Sequence, residues 1–421
     1  MLRLVFCSLT ISLIAVAVAA CGDDGASGPP DAASTDPDGG APRPGDGLAV
    51  VNSDYVSTSI SLLDGRTGQV GKGNCLDSGT RTPNNTLALS GDVVLPSQPQ
   101  AGNPLVTIDR SNGALTWIDP GTCLPLRQLD VSTDFFANPH DLVSVSPTKA
   151  YVTRYERNRT PTADPADRDE GDDVLIIDPS VPVITGRIAM ASYAVAVPNA
   201  TIQARPDRAR LIGGTLFVAL SSMNANFGIA GHGRLVMIDT ATDQVTGTVD
   251  LPTLQNCSGL SYVAATQTLV VACAGSFRDP DQAAGSGLAY IDVAVTPPTL
   301  RRTEPATPFG GRALAGYAGT ANDGSLGFGV SYGEFEGRPK DELWAYDVTA
   351  RTATKLLDAR DSFTFGTVLA DPDRDRVYLT DANAAQPRIH RYRYDADGPV
   401  LEGSVDANPG VGLPPREIAR Y

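Results

Sequence analysis

One apolar residue followed by Asp recurs through the chain, at Leu63-Asp64, Ile118-Asp119, Ile177-Asp178, Ile238-Asp239, Ile291-Asp292, Tyr346-Asp347 and Tyr394-Asp395, with gaps of 55, 59, 61, 53, 55 and 48 residues. Ahead of most of these pairs lies a β-rich run ending in small polar residues: LAVVNS from Leu48, KAYVTR from Lys149, TLFVALSS from Thr215, TLVVACAG from Thr268, GFGVSYG from Gly327 and RVYLTD from Arg376. Behind several comes a turn and a further run, as in DTATDQVTGTVDL from Asp239, and another strand, such as DLVSVSP or FGTVLADPD, usually precedes the unit. Each unit therefore reads as a four-strand antiparallel meander with strands A, B, C and D. One small sheet cannot bury both of its faces alone, but a ring of such sheets can. The expected fold is all-β, a seven-bladed β-propeller spanning residues 47–421.

The first unit starts at Leu48 with no A run of its own, and the last residues, Leu413 to Tyr421, look like an A run with nothing after it. The C-terminal strand is thus expected to close the ring onto the first blade. Composition agrees: 42 Gly and 32 Pro supply turns and leave little room for long helices. A net charge of −15 is the wrong sign for holding a phosphate backbone, so nucleic acid is not an expected partner.

Residues 1–20 carry one cation, Arg3, and an apolar run from Leu4 to Val18, too short for a spanning helix and the length of a signal-peptide core. Val18-Ala19-Ala20-Cys21-Gly22 then resembles the lipobox of bacterial lipoproteins. That resemblance implies lipidation of Cys21, and Gly22, in place of the Asp of inner-membrane retention, implies the outer membrane, periplasmic or surface-facing. Residues 21–46 hold six Asp and five Pro and nothing aliphatic larger than Ala, a composition that cannot bury itself. They read as a tether with a reach on the order of 25 to 30 Å. Setting aside Cys7 in the signal segment and Cys21, the four remaining cysteines, Cys75, Cys123, Cys257 and Cys273, fit an oxidising compartment. Cys257 and Cys273 flank two short strands and should pair across a hairpin, leaving Cys75 for Cys123.

AYVTR from Ala150 and VYLTD from Val377, each inside an A-B-C-D repeat, resemble the YVTN-type propeller repeats, and the likeness runs from about Gly47 to Tyr421. The whole chain is also similar to lipoproteins of δ-proteobacteria. Propellers of the YVTN kind include binding proteins, lactonases and quinoprotein relatives, so the resemblance implies a fold more than an activity. The adjacent cysteines of the quinoprotein relatives have no counterpart here.

In a meander all B-to-C loops share one face with the D-to-A connectors, and here the B-to-C segments 156–173, 222–233, 276–287 and 333–341 are far longer than a hairpin needs. An elaborated face beside a plain one is the mark of a binding surface. Several A runs are expected to begin at the channel mouth with Pro and a polar pair, which gathers Asn84, Asn85, His140, Asp141, Asp207, Arg208, Arg416 and Glu417 into a rim of candidate ligand-binding residues. Within it His140, Asp141, Arg208 and Glu417 are the candidates for acid/base chemistry. Asp167, Asp169, Asp172 and Asp173 crowd one loop and are the candidate calcium ligands, a solvated loop being the simpler account. No other cofactor is implied. Two functions follow: a non-enzymatic binding or assembly module for an envelope protein or envelope glycan, attached to the membrane through its lipid alone, or, as the alternative, a lactonase-like hydrolase at the channel mouth.

Overall fold

The computed structural model describes residues 47–164, 168–279, 281–320, 323–334, 339–395 and 397–421. The expected signal segment 1–20, the expected lipidation site Cys21, the expected tether 21–46 and Asp167 lie outside these residues.

Seven four-stranded antiparallel sheets are the blades. Their A strands are Pro415–Arg420 (blade 1), Val93–Val94 (blade 2), Pro139–Ser146 (blade 3), Pro206–Ile212 (blade 4), Cys257–Val263 (blade 5), Leu314–Gly319 (blade 6) and Phe365–Asp371 (blade 7). These strands line the central channel, while the D strands lie outermost with alternating exposure, as in Val183–Ala189. The C-terminal strand pairs with Gly47–Ser53 in register Leu48 to Arg420, so the ring is closed by the two ends of the propeller sequence. Among the described residues no helix is long and apolar enough to cross a membrane.

The recurring Asp has a local reason. Every C strand ends on it: Thr58–Asp64, Ala114–Asp119, Gly171–Asp178, His232–Asp239, Ser286–Asp292, Glu342–Asp347 and Arg388–Asp395. Its carboxylate accepts the amides of the turn that follows. Asp239 Oδ1 takes the N–H groups of Ala241 and Thr242, both at 2.9 Å, and Asp347 Oδ1 those of Thr349 (2.8 Å) and Ala350 (2.7 Å). Where the turn closes fully, the fourth residue after the Asp donates back to the Asp carbonyl with positive φ: Gly68, Cys123, Asp243 and Arg351. A short acceptor at the first turn position is what such a hairpin requires, so sequence period and structural period coincide.

Apolar burial follows the ring. The core divides into seven clusters, one for each pair of neighbouring blades. Phe217, Leu235 and Met237 of blade 4 pack on Leu269 and Val271 of blade 5, and Phe328 and Val330 of blade 6 on Val377 and Leu379 of blade 7. The closing seam joins Leu48, Val50 and Leu63 of blade 1, with Ile418 from its terminal strand, to Tyr378 and Ile389 of blade 7. Both expected disulfides form. Cys257 faces Cys273 across the A and B strands of blade 5, and Cys75 in the D strand of blade 1 is bonded to Cys123 in the C-to-D turn of blade 2. Sequence separations of 16 and 48 residues correspond to roughly 3 and 4 kcal/mol of loop-closure entropy removed from the unfolded chain.

Blade 2 departs from the pattern. Its A strand holds only two residues and lies well beyond Pro83-Asn84-Asn85, the triplet expected to open it, which falls instead in the connector 78–92. After Val94 the chain leaves the sheet and runs through the channel as Leu95-Pro96-Ser97-Gln98-Pro99-Gln100 before returning at Leu105. Two prolines in this stretch remove ladder donors, so it cannot continue as a paired strand.

Candidate functional site

The channel is a cavity of about 720 Å³ lined by the A strands and by the crossing segment of blade 2, a volume within the range of small-molecule sites. Its mouth on the loop-rich face is framed by the starts of the A strands of blades 1, 3 and 4, each of which begins with Pro. A strand's first position tolerates the missing N–H, which leaves the next residues free to present side chains at the rim.

Asp141 does not face the cavity. It is fully buried and accepts four hydrogen bonds, from Ser97 N–H (2.9 Å), Ser97 Oγ–H (2.6 Å), Leu142 N–H (2.9 Å) and Ala209 N–H (2.9 Å). It stitches the blade 2 segment to blades 3 and 4, and its acceptor capacity is used up. Arg208 bonds Glu417 at 2.6 Å and the Leu95 carbonyl at 2.7 Å, tying blade 4 to the terminal strand. Burial alone would lower the Arg208 pKa; the Glu417, Asp141 and Asp207 carboxylates outweigh it and raise it.

His140 pairs with Asp207, not with Asp141: Nδ1 lies 2.9 Å from Asp207 Oδ1, and the ring stacks on Tyr155 at 4.2 Å between centroids. Ser221 Oγ–H donates to the other Asp207 oxygen at 3.2 Å. Burial pushes the Asp207 carboxyl up, but His140 and Arg208 hold it below the usual carboxylate value. With Nδ1 donating, Nε2 is left as an acceptor, yet it is buried and has no partner. Of the four acid/base candidates the structure brings three together, Arg208 lying 2.6 Å from Glu417 and 3.8 Å from Asp141, while His140 pairs outside the set; Asp141 has no open lone pair, Arg208 and Glu417 satisfy each other, and the His140 nitrogen that would accept a proton is covered.

The remaining rim candidates divide. Arg416 sits over the Tyr55 ring at 4.7 Å and donates to Ser53 O, at the mouth. Asn84 is exposed in its connector, and Asn85 bonds Thr80 O and Gln128 of the outer D strand of blade 2, so neither lines the channel. Among the acids of the 158–170 loop and its flank, Asp169 and Asp173 both grip the buried Arg154, whose guanidinium also takes Thr133 Oγ1. Asp172 turns the other way to accept Ala204 and Arg205 N–H, and burial lifts its pKa to about 6. A cation would have to displace Arg154. Among the described residues no group of three or more His, Cys, Asp or Glu is disposed to hold a metal ion. Ser331, in a stretch matching G-x-S-x-G, is buried in a B strand and its Oγ accepts Trp344 Nε1–H at 3.0 Å.

Sequence reasoning missed the aromatic character of the loop face. Among the described residues Tyr55 (66 % exposed), Phe136 (58 %), Phe277 (54 %), Phe363 (40 %) and Phe227 (36 %) are the large aromatics most open to solvent, and all five stand on B-to-C loops or D-to-A connectors. Phe277, Tyr332 and Phe363 form a chain of ring contacts at 6.0 and 5.8 Å beside the mouth. The residues were visible one at a time, but they lie on different blades, and only ring closure brings them to one face.

No protein-family model matches the chain, and comparison with curated proteins finds no match. Solved structures do resemble it. A hypothetical selenium-binding protein from Sulfolobus tokodaii aligns with a TM-score of 0.60 at 12% identity over 89% of this chain and 93% of its own. A candidate 6-phosphogluconolactonase from Bacteroides fragilis gives 0.55 at 10% identity over 89% and 97%, and a protein from Lactobacillus plantarum 0.55 at 12% over 89% and 99%. At such identities the likeness is one of fold: the chain is a seven-bladed β-propeller similar in architecture to these proteins.

Proposed function

We propose that this chain is a lipid-anchored binding or assembly module of the bacterial cell envelope, and that the propeller engages an envelope protein or glycan through its loop-rich face. The observation that carries the reading is that the five open aromatics among the described residues all gather on that face. Rigid rings with amphipathic edges give large contact area at low entropic cost, and they are enriched where proteins meet partners. The lipobox-like Val18 to Gly22 and the acidic tether supply the membrane attachment in this reading. Against a lactonase-like hydrolase stand the saturated Asp141 and the covered Nε2 of His140.

The test is capture from envelope extract by the wild-type chain and by a Tyr55→Ser/Phe277→Ser/Phe363→Ser variant. Exposed substitutions of this kind leave folding nearly unchanged. The species enriched by wild type should be lost with the variant; an identical captured set from both would count against the loop face as the working surface.

A further inference from the structure

Five arginines line the channel, and four have acceptors. Arg110 pairs with Asp92, Arg208 with Glu417, Arg416 donates to Ser53 O, and Arg420 bonds Asp373 at 2.7 Å with Asp371 at 3.5 Å. Arg210, in the A strand of blade 4, has neither a hydrogen bond nor an ion pair among the described residues, and its Nε is buried. The lining carboxylates are all engaged: Asp92 by Arg110, Asp207 by His140 and Ser221, Glu417 by Arg208 and the Leu95 amide. In a chain of net charge −15, the charged side chain of the channel left without a direct partner among the described residues is a cation.

The space around it is lopsided. Blades 1 to 4 contribute the charged side chains and the crossing segment. Blades 5 to 7 contribute small residues, among them Gly259, Ser261, Gly316, Gly319, Gly366 and Thr367. Tyr262 lines the same cavity; it, Arg420 and the buried Asp141 lie near enough to act electrostatically on Arg210, but Asp141 spends its lone pairs on Ser97, Leu142 and Ala209 and makes no direct bond to the guanidinium. A desolvated cation without a partner is costly, and a guanidinium beside a phenol is suited to an oxyanion.

We infer that the channel is a binding site for a small organic anion, whose carboxylate or phosphate is held by Arg210 with Tyr262 beside it and whose body lies against the small-residue wall of blades 5 to 7. This goes beyond the loop-face reading and does not depend on it, because Arg210 stands on an A strand inside the channel, whereas the three rings replaced in the capture variant stand on loops at its rim.

The experiment is titration calorimetry of the full chain at low ionic strength with two probes, inorganic phosphate and succinate, alongside Arg210→Gln and Gly316→Val. Gly316 is chosen because an added Cβ meets nothing nearer than Val368 Cγ1 at 3.8 Å, so valine fills the cavity without forcing the strand. At least one probe should bind with 1:1 stoichiometry. Arg210→Gln should weaken it roughly ten- to hundredfold, the worth of one or two charge-assisted hydrogen bonds, without lowering the Tm of the unliganded protein. Gly316→Val should weaken it while leaving Arg210 in place. Preference for phosphate over succinate, or the reverse, identifies which oxyanion the site takes. No binding of either probe, binding that survives Arg210→Gln, or a lowered Tm in that variant would each overturn the inference.

Discussion

Arg154 shows how a single residue organises this molecule. Its guanidinium is wholly buried, bonded to Asp169 and Asp173 at 2.6 Å each and to Thr133, and stacked over Phe135. It neutralises the loop that reads as most acidic in the sequence. Replacing Arg154 by Met should cost about 3 to 5 kcal/mol, because two buried carboxylates lose their cation; a denaturant titration showing a shift of under about 1 kcal/mol would mean that the loop reorganises around water instead. Nothing at position 154 announces this role, since an Arg closing a β run reads as a solvated strand end. Arg210 was equally silent. Asp141 and His140 were legible as residues at the mouth, but which carboxylate the imidazole would meet depends on blade 4 arriving beside blade 3, and no local spacing encodes that.

At the scale of the element, the C-to-D turn is the unit that was written most plainly. The Asp that marks each repeat accepts its own turn's amides, so the signal and its physical cause lie within four residues. Asp239 is held below its ordinary value of 3.8, first by the Thr242 amide, then by the Thr242 hydroxyl and the Ala241 amide, and Asp64, Asp178, Asp292 and Asp395 shift in the same direction. A depressed carboxylate adds stability above its unfolded pKa and loses it as pH falls through the folded one. Asp239→Asn keeps an acceptor and removes the charge. Its Tm should therefore lie below that of wild type at pH 7, and the gap should close as pH falls below about 3.8; thermal melts with a gap independent of pH would show that the charge does not matter. The A strand of blade 2 was not legible for the opposite reason: Val93–Val94 is too short to carry a period, and its role passes to a proline-broken segment held by tertiary bonds to Asp141 and Glu417.

Across the whole molecule, seven blades and seven inter-blade cores make closure a single event, and the terminal strand is the part that completes it. Deleting residues 414–421 removes Ile418 from the seam, the partner of Arg208, and the strand that covers Leu48 to Asn52. The loss should be at least about 4 kcal/mol, a fall in Tm of roughly 5 °C or more for a propeller of this length; scanning calorimetry with an unchanged Tm would reduce the strand to a frayed tail. Closure was readable because an orphan A run at one end matches a missing one at the other. The aromatic gathering was not, since it is a property of the closed ring. That gathering is the centre of the account, and hydroxyl-radical footprinting of the chain with and without envelope extract tests it most directly. Tyr55, Phe277 and Phe363 should lose reactivity while the exposed Leu124, Leu126, Val400 and Leu401 of the outer strands keep theirs; protection of the outer strands with the aromatic rim still reactive, or no protection anywhere, would contradict it.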